Sequence, residues 1–284
     1  MLKLKHTYYI SFLKTNRPVT VGYSNLIITV MQHKYKLLMA AAIVALSSFI
    51  IFKPNPRPTL WLIGDSTVRN GSCGCGADGL WGWGAYLQNS LDSNKVLVQN
   101  KAYGGTTSRS FVTGGFWDKV YPFIKPGDIV MIQFGHNDGR TPKGTGDDST
   151  QVTNPRTQKA EWVHTFGWNI RKYIRETKAK GGIPIVVTLV PRNMWKDGKV
   201  DRVAQEFVGW DKEVAAQEKV DVIDLNKIIA DHYDQLGQDK VSTEFFTAKD
   251  HTHTIEAGAR YSAKCVIEGF KGLNDNPVKN AIIN

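Results

Sequence analysis

Trp61-Leu62-Ile63-Gly64-Asp65-Ser66-Thr67 is the stretch on which the reading of this chain turns. The apolar run Leu60 to Ile63 breaks abruptly into Gly-Asp-Ser, the pattern of a buried strand that ends by delivering a serine into a turn. Open α/β sheets carry their reactive groups at that carboxyl end. Gly-Asp-Ser alone is a common turn tripeptide, so the serine's role depends on what the other strand ends hold.

Working outward, four more short apolar runs read as strands: Lys95 to Val98, Ile129 to Phe134, Ile183 to Leu189 and Val220 to Ile223. Helical patterns lie between them. The best is Glu161 to Lys180, where Trp162, Phe166, Ile170, Tyr173 and Ile174 recur at three- and four-residue spacing and Gly181-Gly182 closes the run. Val203 to Lys219, Leu225 to Leu236 and Ile255 to Phe270 are also helical. Shorter helices are expected around Tyr86, Leu87 and Leu91 and over Phe116 to Phe123. Residues 139–158 are polar, rich in Gly, Pro and Thr, and read as an inserted surface loop. Strands alternating with helices in this way predict a three-layer α/β/α domain. Its centre is a five-stranded parallel sheet in flavodoxin-like order.

Charge sharpens the domain boundaries. The 284 residues carry a net charge of +10, with 42% apolar and 22% charged residues. Residues 1–58 hold eight Lys or Arg and no acid, which leaves 28 basic against 26 acidic residues from 59 onward. The folded part is therefore close to neutral, and charge gives no argument for nucleic-acid binding. Lys34 and Lys36 precede an uncharged run of 16 residues, Leu37 to Phe52, followed by Lys53. That is the layout of an export signal or, if uncleaved, a signal anchor; Met31 is an alternative start. A Pro-rich linker, Lys53 to Pro58, leads into a domain spanning 59–284. An exported location, with membrane contact only through 37–52, and a monomeric state are the expectations.

Three strand ends carry unusual polar loops: Gly64-Asp65-Ser66, Gly104-Gly105-Thr106 and Gly135-His136-Asn137-Asp138. In a parallel sheet they share one edge. Small residues there let backbone amides approach a ligand, and an Asn amide adds a donor for a developing oxyanion. Asp250 and His253 supply what a hydrolytic serine needs, a base and an anion to orient it. Their spacing of three puts both on one side of a turn, while His251 should point away. A metal set from Asp250, His251 and His253 lacks a recognised ligand spacing, and neither metal nor cofactor is expected. Gly74-Cys75-Gly76-Ala77-Asp78-Gly79 matches a dinucleotide fingerprint but begins ten residues after its strand, so it is discounted. The elbow G-x-S-x-G is absent, since Val68 stands two after Ser66. Cys73 and Cys75 are too close to bridge comfortably to each other; either could pair with Cys265.

Together these blocks resemble the SGNH (GDSL-like) hydrolase family and, within it, the rhamnogalacturonan acetylesterases. Gly64-Asp65-Ser66-Thr67-Val68 is similar to the nucleophile block and Asn100 to Ser110 to the second. Gly135-His136-Asn137-Asp138 matches the third, and Asp250-His251-Thr252-His253-Thr254 the last. The four stand in family order across roughly 59–270. The resemblance implies a serine esterase that deacetylates pectic rhamnogalacturonan through an acyl-enzyme. Ser66 would be the nucleophile, His253 the base and Asp250 its orienting anion. The Ser66 and Gly105 amides and the Asn137 side chain would form the oxyanion hole. Trp81, Trp83 and His136 are candidate substrate contacts, though the two tryptophans serve equally as buried loop anchors. The 71–79 loop and the 139–158 insertion depart from the family pattern and bear on which acetylated sugar fits. An esterase acting on another acetylated glycan, lipase or thioesterase activity on the same fold, and a non-catalytic carbohydrate-binding protein are the alternatives.

Overall fold

The computed structural model describes residues 57–69, 79–154, 157–202, 205–274 and 276–283. The segment 37–52, expected to be an export signal or anchor, and residues 73–75 lie outside these residues. Five strands build the central sheet: β1 (Thr59–Gly64), β2 (Leu97–Asn100), β3 (Ile129–Gln133), β4 (Ile183–Val187) and β5 (Asp221–Ile223). Their spatial order is β2-β1-β3-β4-β5 and every pairing is parallel. This is the flavodoxin-like order expected from the sequence.

Strand periodicity explains the three layers. Alternate residues of a strand face opposite sides of the sheet. Leu60 and Leu62, Ile129 and Met131, and Ile185 and Val187 enter one apolar cluster, while Trp61 and Ile63, Val130 and Ile132, and Val186 enter the other. The first cluster is closed by Leu225, Ile229 and Tyr233 of α3 (Leu225–Leu236) and by Ala259, Ala263, Val266 and Phe270 of α4 (Glu256–Gly272). The second is closed by Phe166, Ile170, Tyr173 and Ile174 of α1 (Phe166–Ala179) and by Phe207, Val208 and Val214 of α2 (Gln205–Glu218). Each fully buried Leu, Ile or Phe here contributes about 1.5–3 kcal/mol relative to exposure.

Several sequence expectations change. Helix α1 starts at Phe166 instead of Glu161 because Thr165 caps it, its Oγ1 accepting the Trp168 amide at 3.2 Å. The residues ahead of that cap, Ala160–His164, pair antiparallel with Ser149–Thr153, so the 139–158 insertion ends in a hairpin. Trp162, which fits the helical spacing, is 65% exposed on that hairpin. Around Tyr86 to Leu91 two 3₁₀ turns, Trp83–Ala85 and Leu87–Ser90, replace the expected helix. Over 116–123 there are likewise two 3₁₀ turns, Trp117–Lys119 and Tyr121–Phe123, preceded by a single helical turn at Ser110–Thr113. Asp250–Ile255 is not a loop but the middle strand of a three-stranded antiparallel sheet, between Phe246–Thr247 and Leu80–Trp81. Among the described residues no helix is long and apolar enough to cross a membrane. Cys265 is buried and free, and its burial together with the nearby Glu268 pushes the thiol up to about 12.

Candidate active site

At the carboxyl end of β1 the chain folds back at once, with the Val68 and Arg69 amides donating to the Asp65 carbonyl. The turn needs glycine at 64: a Cβ there would lie 2.6 Å from both the Gln133 carbonyl oxygen and Val68 Cγ2. Asp65 is wholly buried, and its Oδ1 accepts the Thr67 amide at 2.9 Å and the Thr67 hydroxyl at 2.8 Å. Burial raises its pKa, against the lowering effect of the Thr67 bonds and of the His253 and Arg192 charges. The Gln133 amide donates to Thr67 Oγ1 at 2.9 Å, and Trp83 Nε1 donates to Gln133 Oε1 at 3.0 Å. A chain of buried polar groups thus fixes the backbone that presents Ser66.

Ser66 Oγ lies 2.8 Å from His253 Nε2, and His253 Nδ1 lies 2.8 Å from Asp250 Oδ2. The contact between Asp250 and His253 follows from an irregularity in the strand. Its partner advances one residue, Phe246 to Thr247, while Asp250–Ile255 advances from Asp250 to Thr254. The surplus bulges outward and closes a local turn in which Asp250 Oδ1 accepts the amides of Thr252 at 2.7 Å and His253 at 2.8 Å. Burial would raise the Asp250 carboxyl, but the hydrogen bonds from the His253 amide and ring and from the Thr252 amide outweigh it and hold the pKa below the usual value. His251 is exposed and points elsewhere, its carbonyl accepting the Asn193 amide at 2.7 Å. No group of three His, Cys, Asp or Glu side chains among the described residues is placed to hold a metal.

Two further loops flank the serine. Gly104 lies beside the serine, where a Cβ would meet Ser66 Cβ in ordinary contact at 3.7 Å, and Gly105 adopts φ +75°, where other residues are strained. The Ser66 and Gly105 amides donate to no acceptor among the described residues. The Asn137 amide nitrogen donates to the Thr106 carbonyl at 3.0 Å, leaving its second hydrogen for a ligand. The next residue holds these two loops together. Asp138, fully buried, accepts the Ser108 amide at 3.0 Å, the Ser108 hydroxyl at 2.6 Å and the Thr141 hydroxyl at 2.8 Å. Tyr173 of α1 donates to the Ser108 carbonyl at 2.6 Å.

The three substrate contacts expected from sequence fare differently. Trp83 is 1% exposed, because its indole N–H is needed by Gln133 inside the core, so it is a loop anchor and not a sugar platform. Trp81 is half-buried; its carbonyl accepts the Thr254 hydroxyl at 2.8 Å and its ring packs 5.4 Å from Tyr86, bracing the strand that carries His253. His136 turns Nε2 away from solvent, where it meets no partner. Burial lowers its pKa to about 3, with the Arg192 and His253 charges acting in the same direction, so its ring is neutral. The exposed aromatic beside the serine is Tyr103, 43% exposed, stacked 4.0 Å from Phe116 and 4.9 Å from the Arg69 guanidinium carbon. Sequence reasoning passed over Tyr103, Asp138 and Gln133. The one available signal was their position next to glycines or at a strand's last residue.

The chain has known relatives. The chain is 31% identical over 245 residues to a rhamnogalacturonan acetylesterase of Emericella nidulans, covering 82% of this chain and 94% of the relative. It is 30% identical over 238 residues to the rhamnogalacturonan acetylesterase RhgT of Bacillus subtilis, covering 79% and 94%. The crystal structure of YxiM from Bacillus subtilis superposes with a TM-score of 0.61 at 28% identity, over 76% of this chain and 56% of that longer one. Residues 62–261, which run from β1 through the Ser66, Gly105 and Asn137 loops to the His253 strand, match the sequence model of one family, and the chain belongs to it: the GDSL-like lipase/acylhydrolase family.

Proposed function

We propose that this member of a carboxylic ester hydrolase family removes O-acetyl groups from an acetylated plant cell-wall polysaccharide, rhamnogalacturonan first among them. The observation that carries the reading is the unbroken line Ser66 Oγ, His253, Asp250, with both contacts at 2.8 Å. The relatives named rhamnogalacturonan acetylesterase, matched over most of their length, support the substrate. The open edge adds support, since it carries polar loops and an exposed Tyr103.

Chemically, His253 Nε2 takes the Ser66 proton as Oγ attacks the acetyl carbonyl, and Asp250 holds Nδ1 protonated and stabilises the imidazolium. The carbonyl electron pair moves onto oxygen, where the Ser66 and Gly105 amides and the second Asn137 hydrogen receive it. Collapse expels the sugar hydroxyl, protonated by His253, and leaves an acetyl-serine. Water, activated by the same imidazole, releases acetate. Neutral His136 and buried Asp65 take no proton in this scheme. The run between Lys36 and Lys53 supports an exported enzyme acting outside the cytoplasm.

Acetate release from acetylated rhamnogalacturonan, set beside acetylated xylan and 4-nitrophenyl acetate, tests this with wild type and Ser66→Ala. Wild type should prefer the pectic substrate, and Ser66→Ala should lose about 10⁴-fold or more in turnover. Equal rates for the two proteins would overturn the catalytic reading in favour of a carbohydrate-binding role.

A further inference from the structure

A cleft of about 440 Å³ opens next to the oxyanion loops. Thr107 and Arg109 form one wall, on the loop that carries Gly105. Arg140 and Thr141 form a second, on the turn that carries Asn137, and Val152, Glu161 and Val163 of the hairpin form a third. The Asp138–Arg140 turn places Arg140 only about 6 Å along its axis from Asn137, at roughly 2 Å per residue. Anything bound in this cleft is therefore adjacent to the ester that Asn137 faces.

Charge in the cleft is unevenly matched. Arg109 is already neutralised by Glu161 at 2.7 Å, and Asn154 donates a further bond to that carboxylate. Arg140 is exposed and has no ion-pair or hydrogen-bond partner among the described residues. One cation is thus left over beside the apolar surfaces of Pro142, Val152 and Val163. A guanidinium fork matches a carboxylate in bidentate fashion, and apolar walls suit the C–H faces of a sugar ring. The wider edge agrees. Arg69, Arg109, Arg140 and Arg192 follow β1, β2, β3 and β4 in turn, in a domain whose total charge is nearly balanced.

We infer that this cleft is a subsite for a hexuronate residue of the substrate backbone, its carboxylate held by Arg140, next to the acetylated sugar at Ser66. The inference rests on the polysaccharide acetylesterase reading and assigns recognition of that substrate's acid groups to Arg140. The hairpin that closes the cleft comes from the 139–158 insertion, which gives that departure from the family pattern a purpose.

The test compares acetylated acidic oligosaccharides with the same material after carboxyl reduction, using wild type, Arg140→Gln and Arg140→Lys. Arg140→Gln should lower the ratio of kcat/KM on acidic to reduced substrate by about 10-fold or more, mainly through KM. Arg140→Lys should restore part of it. De-acetylated oligogalacturonide should inhibit wild type competitively, with an inhibition constant that rises by a similar factor in Arg140→Gln. A wild type that cleaves acidic and reduced substrates equally well, or an Arg140→Gln that loses activity on both alike, would overturn the subsite and leave the acetylesterase standing. A wild type that releases acetate from neither, while still hydrolysing 4-nitrophenyl acetate, would remove the polysaccharide reading and the subsite with it.

Discussion

The serine and the histidine that meet at 2.8 Å come from regions held in opposite ways. Ser66 stands on a turn wired into the core: Asp65 and Gln133, each at most 1% exposed, both bond Thr67, and the equally buried Asp138 ties down the Ser108 loop beside it. His253 stands on a bulged strand, about a third of its side chain exposed, held mainly by Asp250 three residues away. The donors that meet a developing charge gain from rigidity and exclusion of water, because they then need no reorganisation as the charge appears. The group that gives and takes protons gains from partial contact with water and from a carboxylate whose charge is secure. The donors Gly105 and Asn137 are themselves exposed, so it is the burial of their supports that follows the difference in task.

The largest break in this comparison should come on the exposed side. Asp250→Asn keeps the shape of the contact but offers Nδ1 an amide, favouring the wrong tautomer, and turnover should fall about 10³–10⁴-fold with KM little changed. A fall of less than about 10-fold in steady-state assays would mean that His253 is oriented by something else. On the side wired into the core, Asn137→Ala removes one oxyanion donor, itself exposed, and should cost about 10²–10³ in kcat. Full activity in that variant would transfer the third donor to another group. Next comes Asp138→Ala, which strands the Ser108 amide and hydroxyl and the Thr141 hydroxyl in the interior. Stability should drop by about 2–4 kcal/mol, read as a clear fall in Tm by calorimetry. Asp250→Ala, by contrast, should lower Tm much less, since its partners reach solvent.

The two regions also differed in how far the sequence disclosed them. Ser66, Gly105 and Asn137 were legible because apolar runs locate strand ends, and a parallel sheet brings its strand ends to one edge whatever they carry. The partnership of Asp250 with His253 was legible as a spacing of three, although the strand that bears it was not, because its geometry depends on a register shift with Phe246 and Thr247. Hydrophobic periodicity says nothing about which polar side chains will be buried together. Asp138 and Gln133 therefore read as ordinary turn and strand-end residues until the fold joined them to Ser108 and Thr67. The hairpin at 149–164 was hidden for another reason. Ser149–Thr153 is exposed at all but one residue and only Val163 is buried in Ala160–His164, so the alternation that marks a half-buried strand is weak, and Trp162 happened to fall in step with the helix that follows.

The finest test sets the two aspartates flanking the triad against each other through pH. Asp250 has a folded pKa below 3.8, so the stability it contributes is present above that value and is lost as pH falls through the lowered one. Asp65 has a folded pKa above 3.8, with Oδ2 buried and unpartnered. Its protonated form suits the fold, and the stability present below 3.8 is lost as pH rises through the raised value. Asp65→Asn should therefore gain in Tm relative to wild type as pH is raised from about 4 toward neutrality. Asp250→Asn should lose ground to wild type below that range, as pH is raised through the lowered Asp250 value toward 3.8, and stay level above it. Absolute Tm does not decide this, because the side-chain amide introduced by Asp65→Asn must itself be accommodated in the core; the sign of the slope of the Tm difference does. Parallel slopes for the two variants would mean that burial does not separate the two carboxyls, and that the turn presenting Ser66 is wetter than its packing indicates.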